Sequence, residues 1–288
     1  MVQIITDSSS EFLEQDYIDL EVIPLHLVIS EGEKEYQDGK DISGKELFKA
    51  IKEGREFKSA QVPYIDYLLL FEELASQGQA FIYLSISSGI SGSFSTASLA
   101  VEELRGAYPQ LDMAVVDSRA ASVGQGLMAT KLAKAAKQGK SFDDLMELAS
   151  FLQKHIRHGL IVSDLDYLSK GGRLKKSEVI LGSLMGIQPL ITFDPQGNLV
   201  AKDKTRGRKK AYRILLNQAL EESEGPYELA IVYNEKKSLE QFLQSVDELI
   251  PSAKKHIRFL GCAIGVHTGP DTLGFAYLTK EVPQHLIS

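Results

Sequence analysis

Residues 79–100 read QAFIYLSISSGISGSFSTASLA, and this stretch decides the fold of the first half of the chain. Residues 79–86 are apolar and rich in aromatic and branched side chains, which predicts a buried strand. Serines and glycines fill residues 87–93, and apolar side chains then recur with a helical period at residues 94–104. A strand that runs through a Gly/Ser loop into a helix brings backbone N–H groups, hydroxyls and the positive helix end together. The stretch therefore predicts a binding site for an anion.

The composition excludes several classes of protein. The chain has 288 residues, a length typical of about two domains, and its net charge of −7 argues against a general nucleic-acid or acidic-membrane binder. Cys262 is its one cysteine, so an intrachain disulfide is impossible and a reducing compartment is favoured. Residues 1–10 lack the basic segment of a signal peptide, and no apolar run reaches the ~18 residues of a membrane-spanning helix. We expect a soluble cytoplasmic protein with no nucleic-acid partner and no integral membrane association.

Strands alternate with helices in the first half of the chain. We predict strands at residues 2–5, 22–29, 79–86 and 113–116, and helices at residues 44–52, 64–75, 127–137 and from residue 93 onward. The helix at residues 44–52 follows a capping box formed by Ser43 and Glu46. Such alternation predicts a parallel sheet with helices on its faces.

Serines follow the predicted strands, at residues 8–10, 85–93, 118 and 122. Ligands of parallel α/β sheets bind at the carboxyl ends of the strands, so the repetition strengthens the case for a polar site there. Asp7 and the serines at 8–10 allow two interpretations. They cap a helix near residues 11–15, or their loop shares an edge with the loop at residues 87–93.

The second half of the chain has another pattern. A helix at residues 141–158, ended by Gly159, closes the first half. Six short strands follow at residues 160–163, 188–193, 199–204, 228–233, 256–264 and 274–279, with a hairpin turn at residues 194–197 and helices at residues 206–222 and 239–249. We therefore predict an α/β domain at residues 1–158 and an α+β domain with a mixed sheet at residues 159–288.

Four residues in Gly-flanked or Pro-flanked loops are candidates for binding: Ser59, Ser91, Arg173 and His267. Ser59 opens the polar loop predicted at residues 58–63. The planar guanidinium of Arg173 suits a carboxylate or phosphate, although a cation after a glycine cap also fits an exposed helix end. A lone histidine such as His267 is often structural, so both interpretations of His267 stay open.

A serine hydrolase is the alternative that the same loop suggests. Residues 89–93, GISGS, lack only the last glycine of the G-x-S-x-G nucleophile motif, and Asp117 and His267 follow Ser91 in hydrolase order. Nothing in the sequence shows that Asp117 contacts His267. In this alternative, Ser91 would attack an acyl ester.

Cofactor motifs do not occur in the chain. It has no G-x-x-x-x-G-K-[ST] or G-x-G-x-x-G sequence, and its one cysteine and six histidines show no metal-ligand spacing, so we expect neither cofactor nor metal.

Residues 205–210, TRGRKK, open a helix with four cations, which oppose the helix dipole. These cations either bind an acidic partner or belong to a solvent-exposed face of the helix.

Motifs along almost the whole chain resemble those of one family. They are TDSSS at 6–10, SAQVP at 59–63, SSGISG at 87–92, DSR at 117–119, LDYLSKGGR at 165–173, RGRKKA at 206–211 and GVHTGP at 265–270. In this order they resemble the DegV family of bacterial fatty-acid-binding proteins. The resemblance implies an N-terminal three-layer α/β domain with a mostly parallel sheet, a C-terminal α+β domain, and one long-chain fatty acid between them. Some members present the fatty acid carboxyl to a separate fatty acid kinase, which makes an acyl phosphate for phospholipid synthesis. We expect the chain to be a carrier without catalytic activity of its own, because its Ser/His site has no metal, nucleotide loop or complete triad.

The resemblance assigns roles to residues of the polar loops. The carboxyl-binding positions of the family fall on Ser59, Ser91 and His267. Many relatives have Thr-Ser-Gln where this chain has Ser59, Ala60 and Gln61. Ala60 therefore lacks a hydroxyl that could bind the head group.

A second set of residues is expected around the head group and the kinase. Gly92, Arg173 and Thr268 fall near the head group or on the surface that faces the kinase. Arg206 and Arg208, the arginines of the basic run, are expected to dock the kinase.

Overall fold

The computed structural model describes residues 1–174, 187–224 and 228–287. The strands are β1 (Gln3–Asp7), β2 (Ile23–Leu25), β3 (Val28–Glu31), β4 (Lys34–Gln37), β5 (Lys58–Ala60), β6 (Phe81–Ser85), β7 (Met113–Asp117), β8 (Ile156–Ile161), β9 (Ile187–Phe193), β10 (Leu199–Arg206), β11 (Glu228–Tyr233), β12 (Lys254–Phe259) and β13 (Leu273–Leu278). The α-helices are α1 (Glu14–Leu20), α2 (Gly44–Lys52), α3 (Tyr64–Ser76), α4 (Ser93–Arg105), α5 (Val123–Lys137), α6 (Phe142–His155), α7 (Leu165–Lys170), α8 (Arg208–Glu222), α9 (Lys236–Leu249) and α10 (Cys262–Thr268). Short 3-10 turns lie at Ser8–Ser10 and Gln284–Leu286.

The first sheet has the strand order β2-β1-β6-β7, and all of its neighbouring strands are parallel. All five residues of β6 are buried, which explains its continuous apolar run. Helices α3 and α4 pack together on one face, where the rings of Phe71 and Phe81 stack with centroids 4.7 Å apart, and α5 packs on the other face against β1. The predicted three-layer α/β arrangement is confirmed.

The second sheet has the order β10-β9-β8-β13-β11-β12. Strands β11 and β12 are parallel and the other pairs are antiparallel, so the sheet is mixed, as predicted. Helices α8 and α9 cover one face, where Tyr212, Phe242 and Phe275 are buried. The opposite face, with Leu160, Val232 and Gly274, borders the cavity described below.

A small antiparallel sheet, β4-β3-β5, lies beside the first sheet. The sequence EGEKEYQDG at residues 31–39 is typical of an exposed hairpin or excursion, and strands β3 and β4 form this hairpin. Strand β5 differs from the prediction of a loop at residues 58–63, because pairing of Ser59 with Ile29 places residues 58–60 in an edge strand. This pairing fixes the position of Ser59.

Gly159 was predicted as the cap of a helix that ends at residue 158, and this prediction is wrong. Helix α6 ends at His155, and β8 begins at the next residue. Gly159 lies in β8, where a Cβ atom would be 2.6 Å from the ring of Phe275. The glycine is needed for close packing within the sheet rather than for a helix end.

The strand predicted at residues 256–264 is also partly wrong. Strand β12 ends at Phe259, and residues 262–268 form α10 instead. His267 therefore lies in the last turn of a helix and not in a loop. The first turn of α10 is capped by side chains distant in sequence, which local patterns do not reveal.

The division into domains at residues 158 and 159 stays a prediction, and this point lies inside β8.

Across residues 1–174, 187–224 and 228–287, no helix combines the length and the hydropathy needed to cross a bilayer.

Candidate functional site

A cavity lies between the carboxyl edge of the first sheet and the open face of the second sheet. It contains about 870 Å³ of space unoccupied by atoms, counting the solvent at its mouth. Its walls are mainly apolar and include Ile86, Val123, Leu160, Phe193, Val232 and Ile264. Four of its polar side chains lie close together, because Ser59 bonds to His267, Arg173 bonds to the residue before Ser91, and Gly171 packs against His267. We call this part of the cavity the polar end, and it consists of Ser59, Ser91, Arg173 and His267.

Ser59 and His267 form a hydrogen-bonded pair at the polar end. The Ser59 Oγ and His267 Nε2 atoms are 2.7 Å apart, although the residues are 208 positions apart in sequence. Burial, and then the charge of Arg173, lowers the pKa of His267 to about 4, so its imidazole is neutral at neutral pH. Gly171 allows the ring to sit there, because a Cβ at that position would be 2.3 Å from His267 Nδ1.

Ser91 lies where the loop after β6 enters α4. Its Oγ is 3.0 Å from Ser93 Oγ and accepts the Ser93 N–H at 3.2 Å. The next residue, Gly92, is exposed, and a Cβ there would be 2.3 Å from Gln61 Oε1. Gln61 in turn donates to Thr96 Oγ1 at 2.6 Å. Gly92 thus lets Gln61 join β5 to the start of α4, which brings the Ser59 and Ser91 segments together.

Arg173 links this loop to the turn after α7. Its Nε donates to the carbonyl oxygen of Ile90 at 3.0 Å, and its guanidinium also donates to the carbonyl of Gly171. Burial lowers the pKa of Arg173. Within the part of the chain that the structure describes, no carboxylate lies within 4.0 Å of it. The polar end therefore combines a half-buried cation with neutral hydroxyl and imidazole groups, an arrangement that suits an anionic ligand.

Thr268 also borders the cavity, but its Oγ1 donates to the carbonyl of Ile264 within α10. Ala60 lies at the exposed rim, next to Ser59. The polar end thus reaches the surface near Ala60 and Gly92.

The two arginines of the basic run do not border the cavity. Arg208 donates to Asp271 and to Ser163 Oγ, and its side chain is 17% exposed. Arg206 lies exposed at the end of β10, and Lys209 and Lys210 are exposed as well. The cations available to a partner are therefore Arg206, Lys209 and Lys210 rather than Arg208.

The trio of the hydrolase alternative is not assembled. Asp117 accepts hydrogen bonds from the hydroxyl and the backbone N–H of Ser88, at 2.5 and 3.1 Å. Ser91 pairs with Ser93 and not with a base, and the hydrogen-bond partner of His267 is Ser59. The described residues also contain no group of three or more His, Cys, Asp or Glu side chains suited to a metal ion.

Two buried acidic clusters beside the site were not found from sequence. Asp7 caps the turn Ser8–Ser10 by accepting the Ser9 N–H, whereas α1 begins only at Glu14. Asp7 Oδ2 also accepts the N–H of Ile86 at 3.3 Å and the hydroxyl of Tyr83 at 2.8 Å. The interpretation of Asp7 as the cap of a helix near residues 11–15 is wrong, because Asp7 caps a 3-10 turn and the N-cap of α1 is Leu13. The loop of Asp7 does meet the residue that leads from β6 into residues 87–93.

The second acidic cluster consists of Glu11 and Asp38. Burial, and then the nearby charge of Asp38, raises the pKa of Glu11 to about 8, and burial raises the pKa of Asp38. Asp38 belongs to a segment that reads as an exposed excursion, yet it is only 2% exposed. No local sequence signal marks it, because its backbone partners, Cys262 and Ala263, lie more than 200 residues away and Ser8 lies 30 residues away.

Comparisons with known proteins agree with this architecture. A family model described as "Uncharacterised protein, DegV family" matches residues 1–280. A DegV domain-containing protein of Clostridium perfringens is 32% identical over 285 residues, which cover 96% of this chain and 98% of that protein. Among solved structures, a DegV family protein of Thermus thermophilus, described by its fatty acid binding, is 26% identical with a TM-score of 0.86, and the match covers 96% and 99% of the two chains. DegV of Bacillus subtilis, described as a fatty acid binding protein, is 27% identical with a TM-score of 0.82, covering 97% and 99%.

Proposed function

Because the chain belongs to the DegV family, we propose that it binds one long-chain fatty acid, with the carboxyl group at the polar end and the hydrocarbon along the apolar walls. The observation that carries this proposal is the chemistry of the cavity, whose walls are mainly apolar and which Ser59, Ser91, Arg173 and His267 border together. The fatty-acid-binding relatives of Thermus thermophilus and Bacillus subtilis support it. The ligand then lies between the proposed domains 1–158 and 159–288.

The two parts of the cavity contribute differently to binding. Burial of ~14 methylene groups at roughly 0.8 kcal/mol each favours binding by about 11 kcal/mol before the costs of ordering. Hydrogen bonds to a charged carboxylate contribute roughly 1.5–3 kcal/mol each, less desolvation. Affinity therefore comes mainly from the tail, and orientation comes from the head group.

The neutral state of His267 shapes the head-group site. If Nε2 of the imidazole donates to Ser59 Oγ, the hydroxyl hydrogen of Ser59 is free for the carboxylate. Ser91 offers a second hydroxyl, and Arg173 offers the positive charge. In this arrangement the hydroxyl groups act as hydrogen-bond donors to the carboxylate, which fits a carrier.

The proposal extends to a partner. The carboxyl of the ligand would lie near the exposed residues Ala60 and Gly92, so another enzyme could reach it without unfolding the carrier. We propose that this enzyme is a fatty acid kinase that forms an acyl phosphate for phospholipid synthesis, which requires a cytoplasmic location. The exposed cations Arg206, Lys209 and Lys210 would contact its acidic surface.

Denaturing extraction of the purified protein, followed by mass spectrometry, tests the first part. We expect one fatty acid per chain.

After removal of the lipid, the protein should bind a long-chain fatty acid at least about tenfold more tightly than the fatty alcohol of equal length, because the alcohol has no charge. An empty protein that binds neither ligand and reacts with a fluorophosphonate at Ser91 would instead favour the hydrolase.

Ser91 and Ser93 offer a matched pair of substitutions. The Ser91→Ala variant should lose affinity for the acid more than the Ser93→Ala variant, because Ser91 borders the cavity while Ser93 is fully buried behind it. Equal losses would mean that Ser91 does not contact the carboxyl directly.

Charge reversal tests the partner. The double variant Arg206→Glu, Lys209→Glu should slow kinase-dependent phosphorylation of the bound acid while the lipid content stays unchanged. Arg208→Ala serves as a contrast, because loss of its bonds to Asp271 and Ser163 should lower stability first. Unchanged phosphorylation in the double variant would exclude this surface as the docking site.

A further inference from the structure

The first turn of α10 is capped by two carboxyl groups from the other end of the chain. Glu11 accepts the N–H of Gly261 at 2.6 Å, and Asp38 accepts the N–H groups of Cys262 and Ala263 at 3.1 and 3.2 Å. The first N–H groups of a helix have no partner inside the helix, and no side chain at the N-cap position, Gly261, supplies one. Glu11 and Asp38 therefore satisfy donors that would otherwise be buried without acceptors.

Both carboxyl groups are themselves held in place. Glu11 is 6% exposed and accepts the Ser122 hydroxyl at 2.9 Å, while Asp38 is 2% exposed and accepts the Ser8 hydroxyl at 3.0 Å. Gly261 is matched to this arrangement, since a Cβ there would be 2.7 Å from Glu11 Oε2. The cap is thus a fitted, buried contact rather than a surface ion pair.

Helix α10 connects this cap to the polar end of the cavity. The helix has seven residues, a length of about 10 Å. His267 lies in its last turn, hydrogen-bonded to Ser59, and Ile264 on the same helix borders the apolar wall. A shift at the start of so short a helix moves His267 as well.

We propose that Glu11 and Asp38 are positioning residues that hold the first turn of α10 and thereby hold His267 against Ser59 at the head-group site. This inference rests on the proposed function only for its binding readout. The two residues do not touch the ligand. They fix the position of the His267 imidazole before the carboxyl group binds, so binding costs little conformational entropy at this side chain.

The hydrogen-bond patterns of the two carboxyl groups give a sharp contrast between variants. Both oxygens of Asp38 accept hydrogen bonds, two from backbone N–H groups and one from Ser8, so an amide NH₂ at this position must face a donor. Glu11 accepts one backbone N–H, and its second oxygen meets the Ser122 hydroxyl, which can turn to accept. Asp38→Asn should therefore disturb α10, whereas Glu11→Gln should preserve it.

A double-mutant cycle tests the proposal with a long-chain fatty acid and the alcohol of equal length. We expect Asp38→Asn to weaken binding of the acid about tenfold, as loss of a charge-assisted hydrogen bond does, with the alcohol changed by less than about twofold. His267→Ala should have a similar effect, and the double variant should be no worse than His267→Ala alone. Asp41→Asn, an exposed change three residues away, is the control. Additive losses, or equal losses for both ligands, would overturn the positioning role.

The Glu11 variants keep the proposal testable if Asp38→Asn does not fold. Glu11→Ala should weaken binding of the acid selectively, and Glu11→Gln should bind it as the unaltered protein does. Identical binding by Glu11→Ala and the unaltered protein would contradict the role of Glu11.

A measurement without ligand separates this inference from the proposed function. NMR titration of the ligand-free protein should give His267 a pKa of about 4, and Asp38→Asn should let it rise toward 6.5 as the ring loses its buried position. An unchanged pKa in the variant would overturn the inference even if the protein binds fatty acid. If the pKa rises but the unaltered protein binds no fatty acid, the coupling through α10 stands and the proposed function falls.

Discussion

Two buried acidic clusters flank the polar end of the cavity, and they solve the burial of negative charge differently. Asp7 accepts hydrogen bonds from five neutral donors: Ser9 N, Ser9 Oγ, Gln125 Nε2, Tyr83 OH and Ile86 N. Glu11 and Asp38 share five such donors between two carboxyl groups: Gly261 N, Ser122 Oγ, Cys262 N, Ala263 N and Ser8 Oγ. Asp7 thus has five donors for one carboxyl group, whereas Glu11 and Asp38 have five donors for two carboxyl groups that lie near each other.

The difference lies in how many hydrogen-bond donors each buried carboxyl group has and in whether a second carboxyl group lies near it. Both influence what it costs to bury such a group. Burial, and then the nearby charge of Asp38, raises the pKa of Glu11 to about 8, so Glu11 holds a proton at neutral pH. Asp7 anchors the strand ends on the Ser91 side, and the Glu11 and Asp38 cluster holds α10 on the His267 side. We expect the first cluster to matter most for stability and the second to respond to pH.

The largest effect is expected for Asp7→Ala. The change leaves five donors, among them Tyr83 OH and Ile86 N, without their acceptor in a buried site. We expect the free energy of unfolding to fall by about 3–5 kcal/mol, measured by urea denaturation. Asp112→Ala, a change at an exposed position, should stay within about 0.5 kcal/mol. A loss below about 1 kcal/mol for Asp7→Ala would break the comparison, because Asp7 would then not be an anchor.

The pH dependence of stability is the next largest effect, and it comes from the second cluster. The folded pKa of Glu11, about 8, lies above its ordinary value of 4.5. Its contribution to stability is therefore complete below pH 4.5 and is lost as the pH rises through about 8. Asp38, Tyr17 and Cys262, which pack around it, also have raised pKa values and act in the same direction. His267 acts in the opposite direction, since its lowered pKa costs stability as the pH falls from 6.5 through about 4.

Urea denaturation from about pH 5 to about pH 9 should show a decline in the free energy of unfolding, on the order of a few kcal/mol. Glu11→Gln should reduce that slope, because the amide has no proton to lose. A slope unchanged by Glu11→Gln would assign the titration to another group and remove the contrast between the clusters.

Gly261→Ala is expected to have a smaller effect, on the second cluster alone. The φ of Gly261 is −74°, so alanine fits the backbone, and the cost comes only from the Cβ that would be 2.7 Å from Glu11 Oε2. We expect a loss of about 1–3 kcal/mol in the free energy of unfolding. The matched control is Gly106→Ala, whose φ is −66° and whose Cβ would have open space, so it should be near neutral. Equal effects of the two substitutions would show that Glu11 moves freely and is not a fitted cap.

The parts of the fold that local sequence determines were predicted well. The capping box of Ser43 and Glu46 defines α2 at Gly44–Lys52, the range predicted. The apolar run of residues 79–86 predicts β6, whose residues are buried on both faces. In both places the interactions that form the element lie within a few residues, so the pattern and the structure agree.

The parts that distant residues determine were missed. Strand β5 exists because Ser59 pairs with Ile29. Helix α10 begins where Glu11 and Asp38, more than 200 positions earlier, accept its first N–H groups. The apolar pattern of residues 256–264 favours a strand, and no local signal reveals those caps.

In the candidate site, too, the residues with local sequence signals were predicted. Each of Ser59, Ser91, Arg173 and His267 was predicted, and the structure brings them together at the polar end of the cavity. Their loops carry the local signals of close backbone approach, glycine and proline. Their roles toward a carboxyl stay predictions.

The smallest effect is expected for Tyr83→Phe, which tests how redundant the Asp7 cluster is. The change removes one of five donors to Asp7 and also the partner of Tyr67 OH, 3.0 Å away, but Asp7 keeps four donors. One neutral hydrogen bond contributes about 1 kcal/mol, so we expect a loss of roughly that size in the free energy of unfolding. Tyr64→Phe, whose hydroxyl bonds to Glu103 on the surface, should cost almost nothing. A loss for Tyr83→Phe as large as that of Asp7→Ala would show that the five bonds act as one unit, because removing one member would then remove the benefit of all.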